Sequence, residues 1–423
     1  SDDDNLQTLT WSDSTGRAVK VDGAELTKTV YDRLGRVTHS FTLAVDDDTT
    51  YAHADDVSGD IVLVERQTTY EADSSNVIME ATISRLHDDY STGETTGALD
   101  TNADGDSLLY TAANIEGRIQ ITAMWYDADT DRLEDRVEYG TYGGSNFDRD
   151  GISAPTRSDT ALRTTYTYYD DGDLEKVEDP RGLFTRHEYD DAGRRTKVVR
   201  NYDASVNSGN PSGAADNVTV KYEYTDGLQT KIIADLPSGF TDQETLYIYG
   251  TTDGTPAASE VSTGHLLRAT VYPDSTNTGT TESAINTDSS DVVSFAYNAQ
   301  GEVVYKKDQA GNVIETVYDV LGRETDRKVS TLASGFDGAV RLISTAYTSL
   351  GQVETVTQYD AVSSGTVVDQ VKYTYDGWGG MTTFEQDRNS EVGASGSVDD
   401  YEVSYTFEKA TAGRNTIRRS GVT

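Results

Sequence analysis

The chain has 423 residues and no Cys, and its 73 Asp and Glu outweigh 35 Lys and Arg to leave a formal net charge of −38. Without Cys there are no disulfide scaffolds, CxxC redox motifs, thiolate nucleophiles or Cys-based zinc sites. The acid excess repels nucleic-acid phosphates and anionic membranes while favouring cations.

Read from the N-terminus, Ser1-Asp2-Asp3-Asp4 offers no basic leader and no initiator Met, so the sequence reads as part of a longer polypeptide, expected to be extracellular or on a cell surface. No apolar run approaches the roughly 18–20 residues of a spanning helix, and no membrane insertion is expected. Leu, Ile, Val and Phe make up only 82 of 423 residues, close to a disordered composition, yet 27 Tyr against 6 Pro is the reverse of a disordered acidic chain. Tyr and Thr favour strands, and Tyr suits thin sheets with one wet face.

The first element is Val30-Tyr31-Asp32-Arg33-Leu34-Gly35-Arg36, a Tyr followed four residues later by Gly. The same spacing returns at Tyr168–Gly172, Tyr189–Gly193, Tyr297–Gly301, Tyr318–Gly322, Tyr347–Gly351 and Tyr375–Gly379. The copies at 31, 189 and 318 agree in Tyr, Asp, Gly and Arg: Tyr31-Asp32-Gly35-Arg36, Tyr189-Asp190-Gly193-Arg194 and Tyr318-Asp319-Gly322-Arg323. Looser copies stand at Tyr126-Asp127, without the Gly, and at Tyr224–Gly227, one residue shorter. Self-similarity of this kind replaces ordinary domain logic.

Each copy predicts a strand, a tight turn and a returning strand. A four-residue connection ending in Gly suits a type I turn followed by a left-handed residue, the G1-bulge hairpin. Asp after the Tyr (Asp32, Asp190, Asp319, Asp376) can accept from the turn's own N–H groups. Arg after the Gly begins the return strand within reach of a carboxylate or a Tyr face. Residues 291–330 show the pattern most plainly: Val292–Tyr297 out, Asn298–Gly301 turning, Glu302–Lys307 back, Asp308–Gly311 turning, and so on about every ten residues.

Between the copies lie insertions. Segment 41–125 is rich in Asp and contains Asp100-Thr-Asn-Ala-Asp-Gly-Asp106, which matches the opening of a calcium loop, with Asp100, Asn102, Asp104 and Asp106 as candidate ligands. Thr111 stands where the bidentate acid of an EF-hand is required, so the alternatives are a shortened Asp-rich calcium loop and a solvated polar turn. No other cofactor is expected. Segments 201–217 and 273–291 read as long surface loops. The organisation is one continuous array in three stretches: 1–159 with long acidic insertions, 160–290 with Ser-, Gly- and Asn-rich loops, and 291–423 as a regular meander.

The Tyr-Asp-x-x-Gly-Arg units, with intervening turns such as Asp179-Pro-Arg-Gly182 and Asp308-Gln-Ala-Gly311, resemble the YD repeats of bacterial RHS-type proteins and the related teneurin shell. The resemblance covers 160–200 and 290–385 closely, 27–40 recognisably and the remainder weakly. It implies an all-β array wound into a spiral shell or tube, which in toxin-delivering members encloses a C-terminal effector and in others presents a surface for adhesion. Asp179-Pro-Arg-Gly-Leu183 superficially fits the family's self-cleavage element, but Tyr189 follows at once and the array continues, so a plain inter-hairpin turn is expected.

No catalytic residue is expected. The five His (His39, His53, His87, His187, His265) are scattered singly, with no HExxH, no phosphate loop and no GxSxG. Carboxylates are too abundant for a pair to be diagnostic. The expected role is a non-catalytic scaffold whose first partner is the rest of its own polypeptide; the alternatives are an adhesive or glycan-binding module and a self-assembling filament subunit.

Overall fold

A computed structural model describes every residue except 1–8, 23–24, 47, 49–52, 87–95, 102–108, 150–151, 205–215, 252–256, 274–290, 378, 395–400, 410–416 and 423. Its Cα atoms form two compact units, Ser1–Val218 and Thr219–Thr423. The expected all-β antiparallel architecture is present in both, with two three-residue 3-10 turns as the helical elements among the described residues.

In the first unit, each strand pairs antiparallel with the next. The order is Leu9–Ser12, Ala18–Asp22, Leu26–Tyr31, Val37–Val45, Ile61–Tyr70, Val77–Ser84, Arg118–Tyr126, Leu133–Gly140, Leu162–Tyr168, Leu174–Glu178, Phe184–Tyr189 and Arg195–Arg200. A small ladder, Leu109–Tyr110 with Phe147–Asp148, stands beside it. The insertion covers one face of the central strands, and Phe41, Val62, Met79, Ile83, Leu99, Tyr110, Ile121 and Phe147 form a buried apolar cluster there. In Ile61–Tyr70, Glu65, Gln67 and Thr69 alternate as buried positions, and Val62 reaches the same cluster across the irregularity where Thr42 pairs with Val64 and Leu43 with Val62.

The second unit continues in the same manner, from Val218–Thr225, Leu228–Asp235, Gln243–Tyr249 and Leu267–Val271 to Val292–Tyr297, Val303–Lys307, Val313–Tyr318, Glu324–Thr331, Leu342–Tyr347, Val353–Tyr359, Val367–Tyr375, Met381–Asp387, Tyr401–Lys409 and Ile417–Val422. Its buried apolar cluster is smaller: Ile248, Ala269, Val271 and Val292.

Candidate functional site

The recurring feature is the hairpin corner. At 32–36 the Asp32 N–H donates to the Arg36 carbonyl (2.9 Å), and the Gly35 N–H to the Asp32 carbonyl (3.0 Å). Gly35 has φ +86, and the strand register shifts between Val30 and Tyr31, so the corner carries a bulge. The same pairing and positive φ recur at 190–194, 298–302, 319–323, 348–352 and 376–380. The looser copies solve the bend differently. Asp131 takes the left-handed place in the 127–132 corner, and Asp226-Gly227 is a two-residue turn with both φ positive.

Within a corner, Asp and Arg clamp one another. Asp32 Oδ1 accepts from the Leu34 and Arg36 N–H groups (2.8 and 2.9 Å), and Asp32 Oδ2 accepts from Arg36 Nε (2.6 Å). Asp190 with Arg194 and Asp319 with Arg323 repeat this, the Nε–Oδ2 distances being 2.8 and 2.7 Å. Hydrogen bonds from Arg194 and Arg323 hold the Asp190 and Asp319 carboxyls below the usual carboxylate range. Burial works against the same effect at Asp32, and the donors of Arg36 and Leu34 prevail. Other corners exchange the pair and keep the bond: Asn298 donates to Glu302 (2.6 Å) and Asn312 to Asp308 (2.9 Å).

Between corners, the Tyr binds backward. Tyr31 OH donates to the Ala18 carbonyl (2.9 Å), Tyr70 to Val37 (3.0 Å), Tyr126 to Val77 (3.0 Å) and Tyr168 to Leu133 (2.9 Å). In the second unit, Tyr297 reaches Leu267 (2.6 Å), Tyr318 Val303 (3.2 Å), Tyr347 Glu324 (2.9 Å) and Tyr375 Val353 (2.8 Å). In seven of these eight the acceptor opens the return strand of the preceding corner; Leu267 opens a return strand after Gly250 and a longer connection. Where the residue before the acceptor is Arg, its guanidinium lies over the ring: Arg17 on Tyr31 (4.7 Å to the centroid), Arg36 on Tyr70 (4.3 Å), Arg132 on Tyr168 (5.6 Å) and Arg323 on Tyr347 (4.2 Å). One Arg thus clamps its own turn and receives the next Tyr. Sequence reasoning placed Asp at the turn and Arg near a carboxylate or a Tyr face; it missed the hydroxyl's target, because a long-range acceptor leaves no local trace.

A cleft of about 640 Å³ opens in the first unit beside the insertion, lined by His39, Phe41, Asp55, Glu65, Gln67 and Asp100 among others. Glu65 is buried, and its carboxylate accepts from Gln67 Nε2 (2.7 Å) and from the N–H groups of Leu99 (2.6 Å) and Asp100 (3.2 Å). Tyr110 OH donates to Gln67 Oε1 (2.9 Å). Burial pushes the Glu65 carboxyl up and the His39 imidazole down. The Glu65 donors come from the residues that tie the insertion to Ile61–Tyr70, which makes this network a fastening. Beside it, Lys28 Nζ donates to Asp60 (2.6 Å), Asp48 (3.0 Å) and the carbonyls of His53 and Asp56, and Lys20 joins Asp46 and Asp48.

Of the candidate calcium ligands, Asp100 accepts from Gln67 Nε2 through Oδ2 (3.2 Å), while Asn102, Asp104 and Asp106 lie outside the described residues. Most of 201–217 and 273–291, and His87, lie outside them too. Asp179–Leu183 is a turn between two strands: Asp179 N–H donates to the Leu183 carbonyl (2.9 Å) and Gly182 has φ +85.

Residues 168–202, which hold two of the strict Tyr-to-Gly copies, match the RHS repeat family. That stretch carries an RHS repeat. No curated protein matches it. Among solved structures it is similar to one titled "Crystal Structure of TcdB2-TccC3-Cdc42" (15% identity, 94% of this chain and 20% of the other, TM-score 0.39). It is also similar to the "Structure of Photorhabdus luminescens Tc holotoxin pore, Mutation TccC3-D651A" (15% identity, 95% and 22%, TM-score 0.25). The chain spans about a fifth of the length of these proteins. The matched stretch spans the 169–173, 179–183 and 190–194 turns. Among the described residues no helix is long and apolar enough to cross a membrane, and no three His, Asp or Glu are grouped to hold a metal.

Proposed function

We propose that this RHS-repeat chain is a non-catalytic wall segment of a larger secreted or cell-surface protein, built to enclose or present an effector carried elsewhere in the same polypeptide. One observation carries the reading: the corner spends its chemically able groups on holding repeats together. The Tyr hydroxyl, the Asp carboxylate and the Arg guanidinium of 31–36 and 318–323 are all engaged within the corner or with the corner before or after it. Single hairpins are marginal in water, so stability is expected to come from stacking neighbours.

Limited proteolysis tests this on the 423-residue chain. A stacked wall leaves large resistant fragments whose ends fall in the insertions. Digestion that proceeds through the corners of 297–380 as fast as through the insertions overturns the reading.

A further inference from the structure

The Lys28 ammonium is buried in the manner of a bound cation. Its side chain is 2% exposed, and Nζ donates to Asp60 Oδ2 (2.6 Å), the Asp56 carbonyl (2.6 Å), Asp48 Oδ1 (3.0 Å) and the His53 carbonyl (3.0 Å). All four acceptors stand between Val45 and Ile61 in the chain, whereas the ammonium comes from a different element, the strand Leu26–Tyr31. Carboxylates and main-chain carbonyls converging on one point are the donor set with which proteins hold hard cations.

The acceptors are as enclosed as their guest: the Asp48 and Asp60 side chains are 3% and 0% exposed. Two carboxylates so far from water are costly unless a positive charge lies between them. Lys20 brings a second ammonium to the cluster, to Asp46 and to Asp48 Oδ2 (2.7 Å). The Lys28 stem leaves its strand on the same face as Leu26 and Val30, both of which pack against the apolar cluster. The ammonium therefore reaches its oxygens through an apolar slot that the stem fills.

We propose that Asp48, His53, Asp56 and Asp60 form a receptor for a primary alkylammonium, which the chain occupies with its own Lys28 and which takes up a free alkylammonium once that tether is cut. A primary ammonium presents three N–H donors to these oxygens, two of them charge-assisted by carboxylates. The seating of this acidic connection on the sheet is then a binding event whose cation is carried by the chain itself.

The test is thermal melting of the 423-residue chain and two variants in rising n-propylammonium chloride, with tetramethylammonium chloride, which has no N–H donor, as the salt control. Lys28→Ala removes the part of the side chain that n-propylammonium replaces. The amine is expected to raise the melting temperature of this variant saturably, by at least about 3 °C over the control, and to restore a cooperative melt if the variant does not fold without it. Lys28→Met keeps the slot filled and lacks the charge, so it is expected to be destabilised and not to respond; the native chain, whose site is occupied, is expected not to respond either. A smaller rise or none in Lys28→Ala, an equal rise with tetramethylammonium, or an equal response of Lys28→Met or of the native chain overturns the proposal, because the cluster is then an ordinary ion pair without a receptor's selectivity.

Discussion

Residues 26–147 and residues 303–387 share the antiparallel ladder and the Tyr-anchored hairpin corners, the first with one strict copy at 31–36 and looser ones after it, yet they are held differently. The first stretch buries Phe41, Val62, Met79, Ile83, Leu99, Ile121 and Phe147 beneath an insertion, and encloses Lys28 with Asp48 and Asp60 nearby. In the second, among the described residues, Val313 is the one apolar side chain that is buried. Corners are therefore common to both, while a core is a local addition. The thin meander relies on ladder hydrogen bonds, half-buried side chains and the Tyr staple; the insertion-bearing stretch adds a second layer.

If that contrast holds, the largest loss comes from breaking the charged core of the first stretch. Lys28→Ala leaves Asp60, which is fully buried, without its ammonium partner, and is expected to cost about 3–5 kcal/mol. Urea unfolding measures it; a loss under about 1 kcal/mol would mean that water already reaches this cluster. In the meander, the corresponding weak point is the bend. Gly322 has φ +77, so Gly322→Val is expected to cost about 1–3 kcal/mol through strain in the left-handed region. Gly193→Val, at φ +74 with nothing within 4 Å of an added Cβ where Gly322 would meet Glu302 Oε1 at 2.7 Å, serves as the comparison that isolates backbone strain.

The staple itself is smaller. Tyr347→Phe removes the donor to the Glu324 carbonyl but keeps the ring under Arg323, and about 1 kcal/mol is expected. Differential scanning calorimetry of this variant beside Tyr347→Leu, which loses the ring too, separates hydroxyl from stacking; equal losses would assign the whole effect to the hydroxyl. The smallest effect is the pH response of the corners. Asp32, Asp190 and Asp319 have carboxyls lowered in the folded chain, so the unfolded chain takes up protons first as pH falls. Their contribution is present above the unfolded value of about 3.9 and lost as pH falls through the lower, folded value. Melting temperature followed from pH 6 to 3 should drop in that window, and less so in Asp319→Asn.

Much of the meander was legible because its signals are local. Strands Val292–Tyr297, Val303–Lys307 and Val313–Tyr318 sit where period-two alternation and the Gly-ended turns place them. The core under the insertion was not legible. Leu99, Tyr110 and Phe147 come from segments without period, and they meet Ile61–Tyr70 only through tertiary contacts. The acidic composition concealed the Lys20 and Lys28 cluster for the same reason: a carboxylate count does not tell which few are buried against an ammonium. The Tyr-Asp-x-x-Gly-Arg spacing indicated a corner but left open whether Tyr faces a core or a neighbour, since both uses need an amphipathic ring.

The direction of the Tyr hydroxyl bond has a consequence for assembly. In all eight cases the acceptor lies upstream, from 13 residues away at Tyr31 to 49 at Tyr126. Each new hairpin therefore carries its own fastener and needs only what has already left the ribosome. Construction can advance from N to C like courses of brick, each laid on the last, with no row waiting for one above it.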